Sequence, residues 1–184
     1  MISHLKEEDI EKVVLISDKL VGENFHTYES FKKYLSDPHK IVSVYKVDNE
    51  IVGFAKGKVI DKTILKEKLF KTDTNIEEEL TGSGNLGFVE TICVSEEFRG
   101  KRIGKELADE LIESFKKTEH INAIYTTVWK TGETENAKKL VKNLGFKYIT
   151  EITEYWYKDS IDKNYICPKC GNPPCKCSMV FYKL

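Results

Sequence analysis

The sequence predicts an α/β fold with a mixed sheet, formed by a single domain over residues 1–184. In the sequence, β-forming runs alternate with segments whose apolar residues recur at helical spacing. A chain of 184 residues lies in the size range of one ordinary domain. Because 40% of its residues are hydrophobic, it can bury a sizeable core, which argues against intrinsic disorder.

The N-terminal half predicts three strands and two helices. The strands cover residues 2–5, 41–47 and 51–59. Apolar residues recur on one helical face over residues 10–21, and a second short helix around Phe31 must end before Pro38. Asp48-Asn49 favours a two-residue hairpin between the second and third strands. Residues 61–86 are expected to form an excursion, polar and partly helical, that ends in a glycine-rich turn.

The C-terminal half predicts further strands around two helices. The β-forming runs cover residues 88–94, 121–129, 146–157 and 179–184. The clearest helix has one apolar stripe, formed by Ile103, Leu107, Ala108, Leu111, Ile112 and Phe115. Another helix begins near Ala137, and Gly145 is expected to close it as a C-terminal cap.

The charge and apolar content of the chain indicate whether nucleic acid or a membrane is an expected partner. The formal net charge is −1, so there is no electrostatic reason to expect nucleic acid as a partner. The N-terminus is charged within its first residues, and no apolar run approaches the roughly 20 residues that span a bilayer. We therefore expect a cytoplasmic protein with no membrane partner.

The stretch from Val94 to Lys105 is the most informative one. A buried strand ends near Val94, and an amphipathic helix starts near Arg102. Helix N-termini present backbone N–H groups without internal partners and favour negative charge, and glycine lets a bulky anion approach the backbone. The candidate anion-binding residues are Arg99, Gly100, Lys101, Arg102, Ile103, Gly104 and Lys105. On this local pattern alone, a cationic helix start with two incidental glycines fits equally well.

Other phosphate-binding motifs fail on spacing or context. Three residues separate Gly100 from Gly104 where a Walker A loop needs four, and Glu106 replaces the hydroxyl residue that binds magnesium. The run from Gly82 to Gly87 matches the glycine spacing of dinucleotide-binding loops. It leads into a strand instead of opening a helix, so it predicts a turn.

The run from Val94 to Gly104 reads VSEEFRGKRIG and resembles the signature V-x-P-x-x-R-G-x-G-I-G of the GNAT family of N-acetyltransferases. The spacing of Ala137, Leu140 and the Leu-Gly-Phe run at 144–146 is similar to the family's second motif. The order of predicted elements also fits the family over the whole chain. The resemblance implies a mixed, mostly antiparallel, twisted sheet with two central parallel strands that splay apart, flanked by helices.

The resemblance also implies a reaction and its cofactor. Acetyl-CoA would be the co-substrate, and an acetyl group would move to a primary amine of a small molecule or peptide. Backbone N–H groups from Arg99 through Lys105 would hold the pyrophosphate of coenzyme A. Main-chain groups of Ile92, Cys93 and Val94 would pair with the pantetheine arm like an added strand.

Several positions depart from the family pattern. Arg102 stands where the second glycine of this signature is expected, and it either binds the 3′-phosphate of the cofactor or narrows the loop. Thr134 stands at a frequent Asn, although Asn136 lies near it in the sequence. Val141 stands at the frequent Tyr that is proposed to protonate the thiolate. The general acid of the family is therefore missing.

Glu90 is the best candidate for the general base. It precedes Val94 on the central strand, at a position where some relatives carry a glutamate that acts through water. A carboxylate there can take a proton from the substrate ammonium, particularly where burial raises its pKa. It could instead only anchor a cation. Water or another tyrosine would protonate the thiolate, and the candidate tyrosines are Tyr125, Tyr148, Tyr155 and Tyr157.

Four of the five cysteines lie close together, at Cys167, Cys170, Cys175 and Cys177. The Cys-Pro-x-Cys-Gly motif followed by a CxC pair is typical of a zinc knuckle with four thiolate ligands. Iron–sulfur ligation and redox-active thiols are the alternatives. A site with four protein ligands predicts a structural Zn²⁺. The loop, residues 167–177, lies between the last two strands, so the metal either rigidifies a wall of the acceptor pocket or only staples its own loop.

A second function remains open from the sequence. The chain could be a non-catalytic module that binds or senses acyl-CoA, with the zinc knuckle contacting protein or RNA. The missing tyrosine leaves room for this function, whereas Glu90 argues against it. A homodimer stays open, and the acceptor amine cannot be deduced from the sequence.

Overall fold

The computed structural model describes residues 1–69, 78–80, 82–130 and 135–184. Residues 70–77 and 81 of the predicted excursion lie outside this described part, as does the stretch 131–134 that contains Thr134. Among the helices that are described, none combines the length and the apolar character needed to cross a bilayer.

Seven strands form one sheet in the order β1-β2-β3-β4-β5-β7-β6. The strands are β1 (Ile2–His4), β2 (Lys40–Val47), β3 (Glu50–Asp61), β4 (Asn85–Val94), β5 (Ile121–Lys130), β6 (Lys147–Ile152) and β7 (Ser178–Lys183). Only β4 and β5 are parallel, and all other neighbouring strands are antiparallel. The predicted mixed, mostly antiparallel sheet with a central parallel pair is therefore confirmed.

Helices flank both faces of this sheet. They are α1 (Ile10–Leu20), α2 (Tyr28–Leu35), α3 (Lys62–Leu69), α4 (Ile103–Lys116), α5 (Glu135–Asn143) and α6 (Tyr157–Lys163). Adjacent residues of a strand point to opposite faces, so Phe54 and Ala55 of β3 separate the two layers. Ala55 packs in one cluster with α4 and α5, and Phe54 packs in another with α1 and α2. We call these two sides of the sheet the α4 face and the α2 face.

The α4 face is closely packed around Phe115. All six residues of the predicted apolar stripe of α4 are buried. A Cβ atom on Gly57 or Gly87 would lie 2.8 or 2.7 Å from the Phe115 ring, closer than real Cβ contacts allow. Glycine at both strand positions therefore lets α4 lie close against β3 and β4.

The predicted turns agree with the structure. Asp48 and Asn49 have φ values of 49° and 66°, as the two central residues of a type I′ hairpin require. Gly145 has a φ of 87° just after α5 ends, which confirms it as the predicted C-terminal cap. The glycine-rich run at 82–84 leads into β4 and opens no helix.

One predicted strand is wrong in its second half. The β-forming run at 146–157 yields a strand only over Lys147–Ile152, and α6 starts at Tyr157. Glu154 takes a φ of 52°, which ends the extended chain. Tyr155 and Trp156, whose aromatic rings suggested a strand, instead pack against each other edge to face at 5.0 Å between ring centroids. Tertiary packing outweighs their β propensity here.

Candidate functional site

The two parallel strands separate halfway along their length. Pairing between β4 and β5 runs from Asn85 opposite Ile121 to Val89 opposite Thr126. Beyond this point β4 pairs only with β3, whereas β5 pairs only with β7. Among the described residues, no strand pairs with the edge of β4 that faces β5 over residues 90–94. This edge can accept an extended polar chain as an added strand.

A β-bulge lies where the strands separate. Gly57 of β3 pairs with Val89 and Lys56 pairs with Thr91, so Glu90 is the extra residue that has no partner in the register. A bulge of this kind locally redirects side chains and disrupts the ladder. Glu90 is thus the first residue of β4 beyond its pairing with β5.

Backbone N–H groups are available just beyond the end of β4. The first backbone bonds of α4 are donated by the N–H groups of Lys105 and Glu106 to the carbonyl of Arg102. Within the described residues, no hydrogen bond is donated by the N–H groups of residues 100–104. Together with the helix dipole, these free donors form a concave site for an anion. We call residues 99–105 the phosphate loop.

Two residues of the phosphate loop have left-handed backbone conformations. Gly100 has a φ of 78° and Arg102 a φ of 64°. An L-residue in this conformation costs about 1–2 kcal/mol relative to the right-handed region. The structure thus gives a reason for the family glycine at position 102, because the loop needs a positive φ there. Arg102 adopts the same φ and keeps its side chain exposed.

The cationic side chains of the phosphate loop lie at the surface. Arg99 donates from Nε to the carbonyl of Val94 at 3.1 Å, which ties the loop to the end of β4. Lys101 lies over the Phe98 ring at 4.8 Å, and Lys105 pairs with Asp109 at 2.6 Å. The loop therefore combines backbone donors with exposed positive charge.

The Glu90 carboxylate lies in a cluster of charged and polar side chains on the α2 face. Tyr34 of α2 donates its hydroxyl proton to Oε2, and Lys58 of β3 donates from Nζ to Oε1. Lys56 Nζ lies 3.8 Å from Oε2. Both carboxylate oxygens therefore already have partners. We call Tyr34, Lys56, Lys58 and Glu90 the charged cluster.

Burial and neighbouring charge compete in this cluster. Burial raises the pKa of Glu90, but Lys56, Lys58 and the bonds from Lys58 and Tyr34 outweigh it, so the net pKa lies below the ordinary value. The rise in the Glu90 pKa that burial was expected to cause is therefore outweighed by these charged and polar neighbours. For Lys56, burial is the largest cause and lowers the pKa to about 8 against the attraction of Glu90. Burial and then Glu90 raise the pKa of Tyr34.

Three members of the charged cluster were missed by the sequence analysis. Lys56 and Lys58 interrupt an otherwise apolar strand at alternate positions, so both belong to one face of β3. Two lysines at that spacing in a buried strand were a readable signal. Tyr34 lies on the short helix predicted around Phe31, and its contact with Glu90 depends on how α2 packs on the sheet.

The remaining predicted site residues lie in the core or away from the opening. Cys93 is buried among α1 and α2 residues, and burial raises the pKa of its thiol to about 12, so only its backbone is available at the edge of β4. Val141 is buried on the α4 face, and Asn136 is exposed. Position 141 therefore offers an apolar side chain that packs in the core.

None of the four tyrosines proposed as acids belongs to the charged cluster. Tyr125 is buried, stacks on Phe181 and donates its hydroxyl to Glu79 at 2.7 Å. Tyr148 and Tyr157 are exposed. Tyr155 packs against Trp156, and burial raises its pKa to about 12. Tyr34 is the tyrosine that the structure brings to Glu90.

The four clustered cysteines converge on one point. Their Sγ atoms all lie within 4.8 Å of one another. The Sγ atom of Cys177 lies 3.9 Å from that of Cys167 and 3.4 Å from that of Cys170, and Cys170 and Cys175 are 3.9 Å apart. Zn–S bonds of about 2.3 Å in a tetrahedron place sulfur atoms about 3.8 Å apart. The arrangement can therefore hold a tetrahedrally bound metal ion.

Two backbone groups support the cysteine sulfurs. The N–H of Cys170 points at Cys167 Sγ and that of Lys176 at Cys170 Sγ, both at 3.4 Å. Such bonds stabilise thiolates over thiols, and thiolates are the form that binds a metal. Cys170 is exposed, and the other three cysteines are buried.

The cysteine loop packs against the segment that joins α1 to α2. Ile166 donates its N–H to the carbonyl of Glu23 at 3.0 Å, and Tyr165 packs edge to face on Phe25 at 4.9 Å. A Cβ atom on Gly22 would lie 2.7 Å from the Ile166 carbonyl oxygen. Trp129, near the end of β5, packs with the same cysteines. The loop thus connects the α1–α2 segment to the part of β5 that has separated from β4.

Solved structures share this fold over nearly their whole length. The NAA60 protein of Arabidopsis thaliana, solved in complex with acetyl-CoA, is 16% identical, with a TM-score of 0.71 and coverage of 100% of this chain and 97% of that chain. An N-acetyltransferase from Staphylococcus aureus Mu50 is 18% identical, with a TM-score of 0.65 and coverage of 100% and 96%. A ribosomal-protein-alanine N-acetyltransferase from Brucella melitensis is 16% identical, with a TM-score of 0.64 and coverage of 100% and 98%.

The sequence itself also matches a known family. No curated protein matches the chain at a significant level. The family model described as "Acetyltransferase (GNAT) family" matches residues 8–146, which include the separating strands and the phosphate loop. With a match over most of its length and the same fold, the chain belongs to the GNAT family of acetyltransferases.

Proposed function

We propose that the protein is an N-acetyltransferase that moves the acetyl group of acetyl-CoA to a primary amine of a small molecule or peptide. The observation that carries this proposal is the continuity of two features. The unpaired edge of β4 over residues 90–94 leads directly into the phosphate loop at residues 99–105. One extended ligand with a polar arm and an anionic end fits this path.

Each part of acetyl-CoA has a matching group along this path. The N–H groups of residues 100–104 would bind the pyrophosphate, and Arg102 would supply positive charge for the 3′-phosphate. The backbone from Ile92 to Val94 would pair with the pantetheine amides as an added strand. The thioester would then lie where the strands separate, next to Glu90.

The acceptor would approach from the α2 face. Apolar residues of α4 and α5 fill the other face, whereas the charged cluster lies on the α2 face beside the opening. Glu90 is proposed to attract the acceptor ammonium; the sequence also predicts that it takes the proton. Its low pKa keeps it ionised, which suits attraction but weakens it as a base.

The cysteine loop is proposed to bind a structural Zn²⁺ through Cys167, Cys170, Cys175 and Cys177. The sulfur spacing and the N–H groups that point at the thiolates support a zinc knuckle. The contacts of Tyr165 and Ile166 with the α1–α2 segment favour a metal that rigidifies a wall of the acceptor pocket over one that only staples its own loop.

Two similar structures suggest peptide acceptors to test first. They come from Brucella melitensis and Escherichia coli and are described as ribosomal-protein-alanine N-acetyltransferases. At 16% and 14% identity, the likeness shows a shared fold and does not carry the acceptor over to this chain. A peptide with a free N-terminal alanine therefore belongs in the acceptor panel beside a polyamine, free amino acids and an aminoglycoside.

Mass spectrometry of the products tests this proposal. The protein is incubated with acetyl-CoA and each acceptor of the panel, and binding of acetyl-CoA is measured in parallel by calorimetry. We expect acetylated product from at least one acceptor at a rate proportional to enzyme concentration. Tight binding of acetyl-CoA without transfer to any acceptor would instead support the sensing module.

Substitution of Glu90 tests its part in the reaction. We expect Glu90→Gln to lower turnover by about 100-fold, within the range seen when an acid–base or charged group is removed from an active site. Acetyl-CoA binding should stay within about threefold, because Glu90 lies outside the phosphate loop. Unchanged turnover and an unchanged pH–rate profile would remove Glu90 from the mechanism.

A further inference from the structure

We propose that Lys56 is the general base that takes the proton from the acceptor ammonium, and that Glu90 positions and attracts the charges around it. This inference rests on the proposed function and concerns a residue that the family signature does not contain. Its basis is the position of Lys56 next to Glu90 in the charged cluster, its enclosure, and the hydrogen bonds that keep Glu90 ionised.

Lys56 lies on β3, one strand away from the point where β4 and β5 separate. It pairs across β3 and β4 with Thr91, next to the unpaired Glu90 of the bulge. Its side chain is only 9% exposed. The ammonium group lies 4.2 Å from the centre of the Tyr34 ring and 5.7 Å from that of Phe31, so α2 covers it from above the sheet.

Glu90 is less suited to accept the proton. Its oxygens accept hydrogen bonds from Lys58 and Tyr34, and these bonds stabilise the ionised carboxylate over the protonated form. Its pKa is also lowered by its neighbours, whereas a general base works best with a pKa near the operating pH. An ionised Glu90 still attracts an incoming ammonium.

The groups facing Lys56 come from several elements. Glu90 of β4 attracts its charge, and the Tyr34 hydroxyl of α2 is bonded to that same carboxylate. The positive charges nearby belong to Lys58 on β3, Lys40 on β2 and Lys163 on α6. Buried His26 lies close enough for Lys56 to help lower its pKa, so this imidazole adds no charge. Burial dominates the balance, and the amine of Lys56 titrates at about pH 8.

The proposed step conserves protons. Neutral Lys56 takes one proton from the acceptor ammonium and becomes charged, and the neutral amine then attacks the thioester carbonyl. The C–S bond breaks, and the second amine proton is transferred to the coenzyme A thiolate, directly or through water. Lys56 returns its proton to solvent before the next turnover. No oxidant or additional reactant is needed.

Titration of Lys56 by NMR tests the proposal without an acceptor. The protein is labelled with lysine carrying ¹³C at Cε, and the Lys56 signal is assigned from its absence in Lys56→Arg. We expect Lys56 to titrate near pH 8, well below the ordinary lysine value of about 10.4. A midpoint near 10.4 in both the free protein and the coenzyme A complex would overturn the proposal.

Kinetics of matched variants test the role itself. Lys56→Arg keeps the positive charge beside Glu90 but cannot lose its proton, whereas Lys58→Arg makes the same change two positions along the same face of β3. If Lys56 is the base, kcat/KM of the wild type should rise as pH increases through about 8. We expect Lys56→Arg to lower kcat/KM at pH 8 by about 100-fold and to abolish this rise. Lys58→Arg should retain that rise. Lys56→Met, close in length and uncharged, replaces Lys56→Arg if arginine prevents folding.

Two acceptors whose amines differ in pKa separate the enzyme from the substrate. A rise in kcat/KM that stays at the same pH with both acceptors belongs to the enzyme. Glu90→Gln then discriminates between the two bases: it removes an attraction that raises the pKa of Lys56, so the rise should move to lower pH. A rise that Glu90→Gln abolishes and Lys56→Arg preserves would overturn the proposal. The absence of transfer by the wild-type protein would instead contradict the proposed function itself.

Discussion

The phosphate loop and the charged cluster are built in opposite ways. The loop presents backbone N–H groups at residues 100–104, and its cationic side chains stay at the surface. The cluster consists of buried side chains from α2, β3 and β4, and it depends on the balance between Glu90 and two lysines. The loop should therefore be sensitive to an added Cβ atom and the cluster to a changed charge. We expect the first to control cofactor affinity and the second to control turnover.

The largest expected effect concerns the cysteine loop beside the cluster. Removing a structural zinc withdraws on the order of 10 kcal/mol from the segment that it orders, and β7 follows this segment directly. We expect a strong chelator to lower the melting temperature and to raise the acceptor KM more than the KM for acetyl-CoA.

Cys93→Ala is the matched control for this experiment, because Cys93 is the one cysteine outside the cluster. It should retain the metal, which elemental analysis can quantify, whereas Cys175→Ala should lose it. If metal removal leaves the acceptor KM unchanged, the metal stabilises only its own loop.

A second buried carboxylate separates stability from turnover. Asp9 accepts bonds from Lys46 at 2.6 Å and Lys12 at 3.4 Å, and the bond from Lys46 is the main reason why its pKa is lowered. We expect Asp9→Asn to cost about 2 kcal/mol of unfolding free energy and to leave acetyl transfer unchanged. Glu90→Gln should lower both stability and turnover, because it leaves Lys56 and Lys58 without their buried counter-charge. Chemical denaturation of both variants, combined with kinetics, measures this difference.

The lowered pKa of Asp9 also fixes the sign of the pH effect. The stability that it contributes is complete above the unfolded pKa of about 3.9 and is lost as pH falls through the lower folded value. Asp9→Asn should therefore flatten the acid limb of the stability profile. An equally steep limb in this variant would assign acid unfolding to other groups.

Two glycines with the same φ, one inside and one outside the phosphate loop, separate the effect on cofactor binding from the effect on stability. Gly100 and Gly82 both have a φ of 78°, and an added Cβ at either position would meet no atom of the described residues within 4 Å. Alanine should cost about 1–2 kcal/mol of stability at both. Only Gly100→Ala should weaken the binding of acetyl-CoA, by about tenfold, because its Cβ enters the proposed pyrophosphate site. Equal cofactor affinities for the two variants would argue against that site.

The smallest effect concerns Arg102. Because of its φ of 64°, we expect Arg102→Ala to be about 1 kcal/mol less stable than Arg102→Gly, or about 2–4 °C in melting temperature. Both variants remove the charge. If Arg102 binds the 3′-phosphate, Arg102→Gly should lose affinity for coenzyme A and not for dephospho-coenzyme A. Equal losses for the two ligands would exclude this contact.

The same contrast explains what the sequence could predict. The fold, the separating strands and the phosphate loop depend on local patterns, namely strand runs, helical stripes and the glycines near Arg102. The charged cluster depends on a bulge at Glu90 and on the packing of α2 against β3, neither of which has a local signature. Lys56 and Lys58 were visible as paired charges in an apolar strand, but their partners became clear only from the register.

The predicted strand at 146–157 failed for a related reason. Aromatic residues favour strands because they pack well on a pleated surface, and the same residues pack equally well between a helix and a sheet. Tyr155 and Trp156 take the second arrangement, between β6 and α6. Composition alone could not distinguish the two.

Calorimetric titration of acetyl-CoA into Gly100→Ala and Glu90→Gln, with turnover measured on the same samples, tests the separation of cofactor binding from chemistry most directly. We predict that Gly100→Ala loses about tenfold in affinity. Glu90→Gln should bind acetyl-CoA within about threefold of wild type and lose about 100-fold in turnover. Loss of acetyl-CoA affinity in Glu90→Gln together with normal affinity in Gly100→Ala would contradict the account.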